Sequence, residues 1–476
     1  MIIAAANCAD VPCWTCRRRR LNKEKPLRWT DSVASRGKLM GKKVPCQVQH
    51  LPIRRVLNDP GLQDLSPSMR NYIAYFEQQC CQECVLYDFE RVNLFKESMQ
   101  LIPSCRGLCH AVVSVAALHL TFRIASAQCN ETTKTYKPNQ SEVQIPQWGD
   151  QVRHLYHLPA YHDALYHKQQ TLSFLRSEAY AACFSNPGAV IASMILSIWF
   201  ELMDSGRDTW RYHLRGLREV MTKRGLSLAL FRDGELAADV PQITEYFDTS
   251  YAIFEIIGST FVKAKQPYQP LFSMSPTLDI LKRCESQTWT GCPSTLLYVI
   301  SLANAAAPSS HEIPSDLIAK IFSHLQNFSP MKWAVAGAEV HYMKPRYQLA
   351  CVWQAAVEIY VLQVLSVPSE SDVFSEGRIH NSLDSILHQL KSVDPADVHL
   401  KGIIWPAFVI GAEAQTMSQR ELITDVFGHL WTLWRCHNVT NALKVLEKIW
   451  ARRAMEGSSQ RWIEYVYEWG EDWMFI

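Results

Sequence analysis

The 476-residue sequence lacks the short motifs that mark the common catalytic chemistries. It has no G-x-x-x-x-G-K-[ST] loop, whose backbone amides would cradle a nucleotide's phosphates, and no G-x-S-x-G elbow to expose a nucleophilic serine. It also lacks an H-E-x-x-H zinc pair and the aspartate-rich metal motif of a helical isoprenoid enzyme. A non-enzymatic role is therefore expected. The N-terminus, MIIAAANCADV, has no basic region and too short an apolar run for a signal peptide. The longest unbroken apolar stretches, CHAVVSVAALHLTF and AVIASMILSIWF, fall short of the roughly 20 residues of a membrane span. They read as buried helices, and no membrane partner is expected. No strand-like alternation persists, and no period repeats.

Cysteine is plentiful but has no framework. The fifteen thiols are odd in number and scattered over the whole chain, whereas a disulfide-stapled secreted fold is short and dense in cysteine. A reducing interior, cytosol or nucleus, fits better. The sequons at Asn130 and Asn438 carry no weight in an unsecreted chain.

Hydrophobic residues make up 48% of the sequence, enough for a substantial core, and charged residues make up 20%. The net charge of +2 hides an asymmetry. Residues 1–56 hold thirteen Lys and Arg against three Asp and Glu, a local +10, which leaves −8 for the other 420 residues. A small basic head on a mildly acidic body points to a polyanion partner for the head alone.

From about residue 65 the pattern is helical. Ser66-Pro67 reads as an N-cap with proline in the first turn, followed by Met69, Tyr72, Ile73, Phe76, Cys80 and Cys84 at helical spacing. A buried helix is expected over 105–124, a polar loop over 125–150, and a helix opened by Asn186-Pro187-Gly188 that runs through Leu202. Trp210, Leu214, Leu217 and Met221 line one face of the next helix, with Arg211, Arg215 and Arg218 on others. Further helices are expected near 242–261, 345–366, 376–395, 417–433 and 438–455. The tail places Trp462, Val466, Trp469 and Trp473 on one helical face. Loops rich in Pro and Ser fall near 262–276, 304–316, 327–346 and 366–378. The fold class is all-α: a large multi-helix domain preceded by a short, disordered basic arm.

Chemistry concentrates in CWTCRRRRLNKEKP. Cys13 and Cys16, as C-x-x-C, would bind one Zn²⁺ through two thiolates at about 2.3 Å each, which is half of a closed tetrahedral site. Cys8 or Cys46 with His50 would complete a mononuclear site, though no familiar spacing supports it; the alternative is two unliganded thiols in an arm. Arg17, Arg18, Arg19 and Arg20 suit phosphate contact, nuclear import, or simply a solvated charged arm. Elsewhere, Cys80, Cys81 and Cys84 sit on an apolar helix and read as core packing, as do Cys105 and Cys109. His154, His157, His162 and His167 are spaced wrongly for a helical metal site, which favours i, i+4.

CWTCRRRRLN resembles the opening of the fungal zinc binuclear cluster, the six-cysteine DNA-binding domain of fungal transcription factors. PSCRGLCHAVVSVAALHL, TWRYHLRGLREVM, IIWPAFVIGAEA and WRCHNVTNALKVLEKIW are similar to the helical regulatory domain that accompanies it, in the same order. In that family, six cysteines hold two zinc ions through shared thiolates, and the third cysteine comes seven residues after the second. Lys23 stands there in this sequence, and the closing C-x-x-C pair and last cysteine have no counterpart. KPLRWTDSVASRGKLMGKKVP resembles the family's segment just after the cluster, so four ligands are missing as a block.

The resemblance implies a nuclear transcription regulator of the zinc-cluster type. Residues 1–56 would be the remnant of the DNA-binding region and linker, and residues 57–476 the helical domain. Zinc would be the cofactor, with Cys13 and Cys16 two of six ligands, and Arg17 to Arg20 would contact DNA phosphates. Expected partners are DNA, bound weakly or not at all, the transcription machinery, and a second copy of the chain. A regulatory protein that has lost DNA binding is the alternative. A helical small-molecule binder or enzyme is a third class, for which the sequence offers no convergent polar cluster.

Overall fold

The computed structural model describes residues 29–30, 33–34, 62–86, 93–133, 155–177, 186–230, 241–262, 274–306, 313–336, 342–365, 376–394, 397–456 and 460–476. Cys13, Cys16 and Arg17 to Arg20 lie outside the described residues, as do Cys8, Cys46, His50 and His154. The chain divides into two compact units, Met1–Gln63 and Asp64–Ile476. In the first unit, β1 (Trp29–Thr30) pairs antiparallel with β2 (Val33–Ala34), Trp29 opposite Ala34 and Thr30 opposite Val33. A ladder of two residues per strand is too short for alternation to show in sequence.

The second unit is helical, as expected. Helix α1 (Pro67–Tyr75) begins where Ser66 accepts the Met69 amide at 3.2 Å. It passes into a π-helical turn (Phe76–Cys80) and a last helical turn (Cys81–Glu83). The wider turn lets two successive side chains, Cys80 and Cys81, both reach the core. After α2 (Leu94–Ser98) come α3 (Arg106–Thr133), α4 (Pro159–Ser177), α5 (Pro187–Asp204), α6 (Trp210–Leu230) and α7 (Pro241–Gly258). Asn186 caps α5 by accepting the Ala189 amide at 3.2 Å. The second half contains α8 (Met274–Arg283), α9 (Ser294–Ala306), α10 (Ser315–Asn327), α11 (Pro330–Ala336) and α12 (Met343–Leu365). It closes with α13 (Glu376–Lys391), α14 (Ile404–Ala412), α15 (Met417–Trp434), α16 (His437–Glu456) and α17 (Trp462–Trp469).

Helices α3, α4 and α5 pack side by side. At the start of α3, Gly107 lies so close to α4 that a Cβ there would sit 2.0 Å from the Phe174 ring. Aromatic rings knit the interior. Trp199 meets Trp289 edge-on at 5.1 Å and stacks on Trp434 at 6.0 Å, while Trp353 and Trp405 stack at 5.3 Å with 9° between their planes.

Several expectations are corrected. The loop placed over 125–150 begins later, because α3 runs to Thr133; ASAQCNETT holds neither Gly nor Pro to stop it. The loop placed over 327–346 contains α11, which starts at a proline suited to the first turn. The tail helix ends at Trp469, where Gly470 turns left-handed at φ +68°, and Trp473 instead bridges Arg207 and Phe261 in extended backbone. Membrane length was also undercounted. Arg106–Ser126, Pro187–Asp204 and Met343–Leu365 are long and apolar enough to cross a membrane by length and composition. The stretch counted in sequence, Cys109 to Phe122, stopped at Arg106 and Arg123, whereas the helix carries its apolar character past both, and a span tolerates one or two such charges at its ends. In this fold 78%, 83% and 67% of those windows are buried inside the protein.

Candidate functional site

The helix that ends in the π turn meets α3 through a chain of polar groups. Tyr75 closes α1, Glu83 closes the turn after it, and His119 and Arg123 stand one turn apart on α3. His119 Nε2 lies 2.7 Å from Glu83 Oε2, and Arg123 bonds Glu83 Oε1, so one carboxylate is shared between two partners. A carboxylate only accepts, so Nε2 carries the imidazole proton. Nδ1, 2.9 Å from the Tyr75 hydroxyl, is then the acceptor of the neutral ring and the hydroxyl donates. Burial pushes His119 down to about 4, with Arg435 and Lys401 adding to the effect. Burial likewise raises the Tyr75 phenol to about 12, as does nearby Cys80, while Arg123 and Arg435 oppose it.

The far wall comes from the junction of α15 and α16. Trp434 Nε1 donates to the Lys401 carbonyl at 3.1 Å, and the His437 ring packs edge-on against Phe122 at 5.0 Å. Arg435 lies between them in sequence and is near enough to Arg123 for its charge to be felt. It caps α15 in the left-handed region at φ +48°. Its Nε donates to the Thr432 carbonyl at 3.2 Å. Burial lowers the Arg435 pKa, and the charge of Arg123 lowers it further.

Two other polar centres lie nearby. Glu201 on α5 accepts from Thr209 at 2.7 Å, pairs with Lys168 at 2.9 Å and lies 3.2 Å from His213. Burial alone would raise its carboxyl, but these partners outweigh burial and hold it at about 2. His110 and His167 meet across α3 and α4, Nδ1 to Nδ1 at 2.8 Å.

Of the histidines noted in HLYHLPAYHDALYH, His167 alone forms this pair, and no group of three or more His, Cys, Asp or Glu among the described residues could hold a metal. Cys80, Cys81, Cys84, Cys105 and Cys109 are buried, as core packing required. Burial pushes the Cys84 thiol up to about 12 and that of Cys109 to about 11, which keeps them protonated. Sequence reasoning missed the centre formed by Tyr75, Glu83, His119 and Arg123. Its members lie as far apart as Tyr75 and Arg123, and the one local signal was a histidine inside an apolar helix.

Residues 71–476 match a family described as the fungal specific transcription factor domain, and no zinc-cluster domain is matched ahead of them. The chain is also 25% identical over 422 residues to a protein of Neurospora crassa named acriflavine sensitivity control protein acr-2. That alignment covers 84% of this chain and 65% of the relative, so the chain spans just under two thirds of the relative's length. No solved structure matches the chain.

Proposed function

The chain belongs to the fungal specific transcription factor domain family, a family of regulators and not of enzymes, and from that membership we propose that it is a nuclear transcription regulator. The match across residues 71–476 carries the reading. Its helical domain takes regulatory input and contacts the transcription machinery, and it pairs with a second copy of itself.

The basic head contacts DNA through Arg17, Arg18, Arg19 and Arg20. Phosphate attraction needs exposed charge alone, whereas base readout needs a helix aimed into the major groove. In an intact cluster, zinc holds that aim. With Lys23 at the third ligand position, Cys13 and Cys16 retain half a site, so binding is weak and indifferent to sequence. The relative's name adds that the controlled process concerns acriflavine sensitivity.

The test is DNA binding by the full chain, on unrelated duplexes of equal length, with and without a zinc chelator. Equal affinities, no chelator effect and a steep salt dependence are expected. Each arginine replaced by glutamine should flatten the log–log salt slope by about 1. Nanomolar, zinc-dependent, sequence-selective binding would overturn the reading. No binding at low salt would instead support the alternative that Lys23 favours, an interaction protein that has lost DNA contact.

A further inference from the structure

We propose that His110 and His167 form an acid-sensitive latch between α3 and α4, which takes up one extra proton with the helices closed and opens on the second. The latch belongs to the helical unit and holds whether or not the chain contacts DNA.

Its geometry leaves room for one proton. The two Nδ1 atoms lie 2.8 Å apart, and the ring centroids lie 5.0 Å apart with 31° between the planes. The rings therefore meet nearly head-on, nitrogen to nitrogen. One Nδ1 donates the shared proton and the lone pair of the other accepts it. Two metal–nitrogen bonds of about 2.0 Å each do not fit along that line. Two N–H groups facing each other do not fit either, so both Nδ1 atoms cannot be protonated while the rings stay in place. A first extra proton goes instead to the outer Nε2 of the donor ring, and it turns a neutral hydrogen bond into a stronger, charge-assisted one.

Charges on the two helices decide which ring takes it. Each histidine has one charged residue a turn before it: Asp163 precedes His167 on α4, and Arg106 precedes His110 on α3. Burial lowers the His167 pKa, and the Asp163 carboxylate works against that. Burial, the charge of His167 and that of Arg106 all push His110 the same way, down to about 4. The first proton therefore belongs to His167, and His110 must accept the second at the shared position. Tyr166 lies edge-on to His167 at 5.1 Å, and Tyr72 of α1 donates to Asp163 at 2.8 Å. Lys168, next to His167 in sequence, is paired with Glu201 of α5 at 2.9 Å.

Packing passes the strain to the helices. His167 is buried and His110 half-buried, and the same seam presses Gly107 against the Phe174 ring. The two rings have little room to swing apart unless α3 and α4 part with them. Through Asp163 and Lys168, α4 also holds α1 and α5, so opening reaches both neighbours.

The experiment takes the full chain from neutral to acid pH at fixed ionic strength. Hydrogen-exchange mass spectrometry, corrected for the intrinsic pH dependence of exchange, follows peptides from each helix, and ¹⁵N spectra of labelled histidine follow the shared proton. Exchange in α3 and α4 should rise near pH 4, as the shared-proton signal is lost, while α16 stays protected. His110→Gln can still bond His167 but takes no proton, so it should abolish the rise. Arg106→Gln should move the rise to higher pH and Asp163→Asn to lower pH, each by about half a unit. Those opposite shifts keep the test decisive if His110→Gln does not fold. A rise that none of these substitutions moves, or one shared equally by every helix, would overturn the proposal.

Discussion

Asn438 binds the C-terminal segment through Met474: its Nδ2 donates to the Met474 carbonyl at 2.6 Å, and its Oδ1 accepts the Ile476 amide at 3.2 Å. The side chain is 1% exposed and is packed against Gly206, where a Cβ would come 2.0 Å from Nδ2. Gly206 itself stands at φ +70° and accepts the Met474 amide through its carbonyl. Asn438→Ala would strand one buried carbonyl and one buried amide. A loss of about 1–3 kcal/mol is expected, read from urea unfolding. The same enclosure means that the Asn438 sequon should carry no glycan when the folded chain meets a glycosylating extract, a point checked by mass spectrometry.

The contact between Gly107 and Phe174 sets how closely α3 and α4 approach. Gly107→Ala should destabilise the fold by about 1–3 kcal/mol through overpacking. Phe174→Leu added to it should recover part of that loss, so the pair should be less than additive in a double-mutant cycle. Strict additivity in urea midpoints would count against the contact.

Glu201 should make the fold acid-sensitive at low pH. Burial alone raises its carboxyl, yet the bonds from His213, Lys168 and Thr209 bring it from 4.5 down to about 2. A depressed carboxyl contributes stability that is present above its unfolded value and lost as pH falls through the folded one. The loss should span pH 4.5 down to 2. Glu201→Gln should lower stability at neutral pH and flatten the profile in that window, measured by thermal melts across pH.

His119 acts in a higher window. Its folded value near 4 lies below the ordinary 6.5, so between these values the unfolded chain binds more protons. Stability should therefore rise with pH through that range and be complete above it. Tyr75 from α1 and Glu83 after its π turn bond the ring, Arg123 on α3 shares Glu83, and Arg435 and Lys401 act on it through their charge. His119→Gln should reduce the slope of melting temperature against pH between 4 and 6.5, while leaving the lower Glu201 window in place.

Much of the helical frame was legible in the sequence, because its causes are local. Ser66-Pro67 and Asn186-Pro187 start helices through a side-chain oxygen and a proline whose missing amide costs nothing at that position. Trp210, Leu217 and Met221 fell on one buried face through the 3.6-residue period. What failed had non-local causes. Trp473 fits the spacing of the tail helix, but its backbone is drawn into bridges with Arg207 and Phe261 after Gly470 turns the chain.

By itself, the sequence determined an all-α body, a basic head, buried thiols and a resemblance to one regulatory family, since periodicity, charge and motif spacing are properties of neighbouring residues. Tertiary structure alone decided that Tyr75, Glu83, His119 and Arg123 form one chain of polar contacts, and that Asn438 ties down Met474 and Ile476. Those pairings depend on where distant helices come to rest against a common core. No local pattern records that, because the free energy that brings the helices together is spread over many apolar contacts.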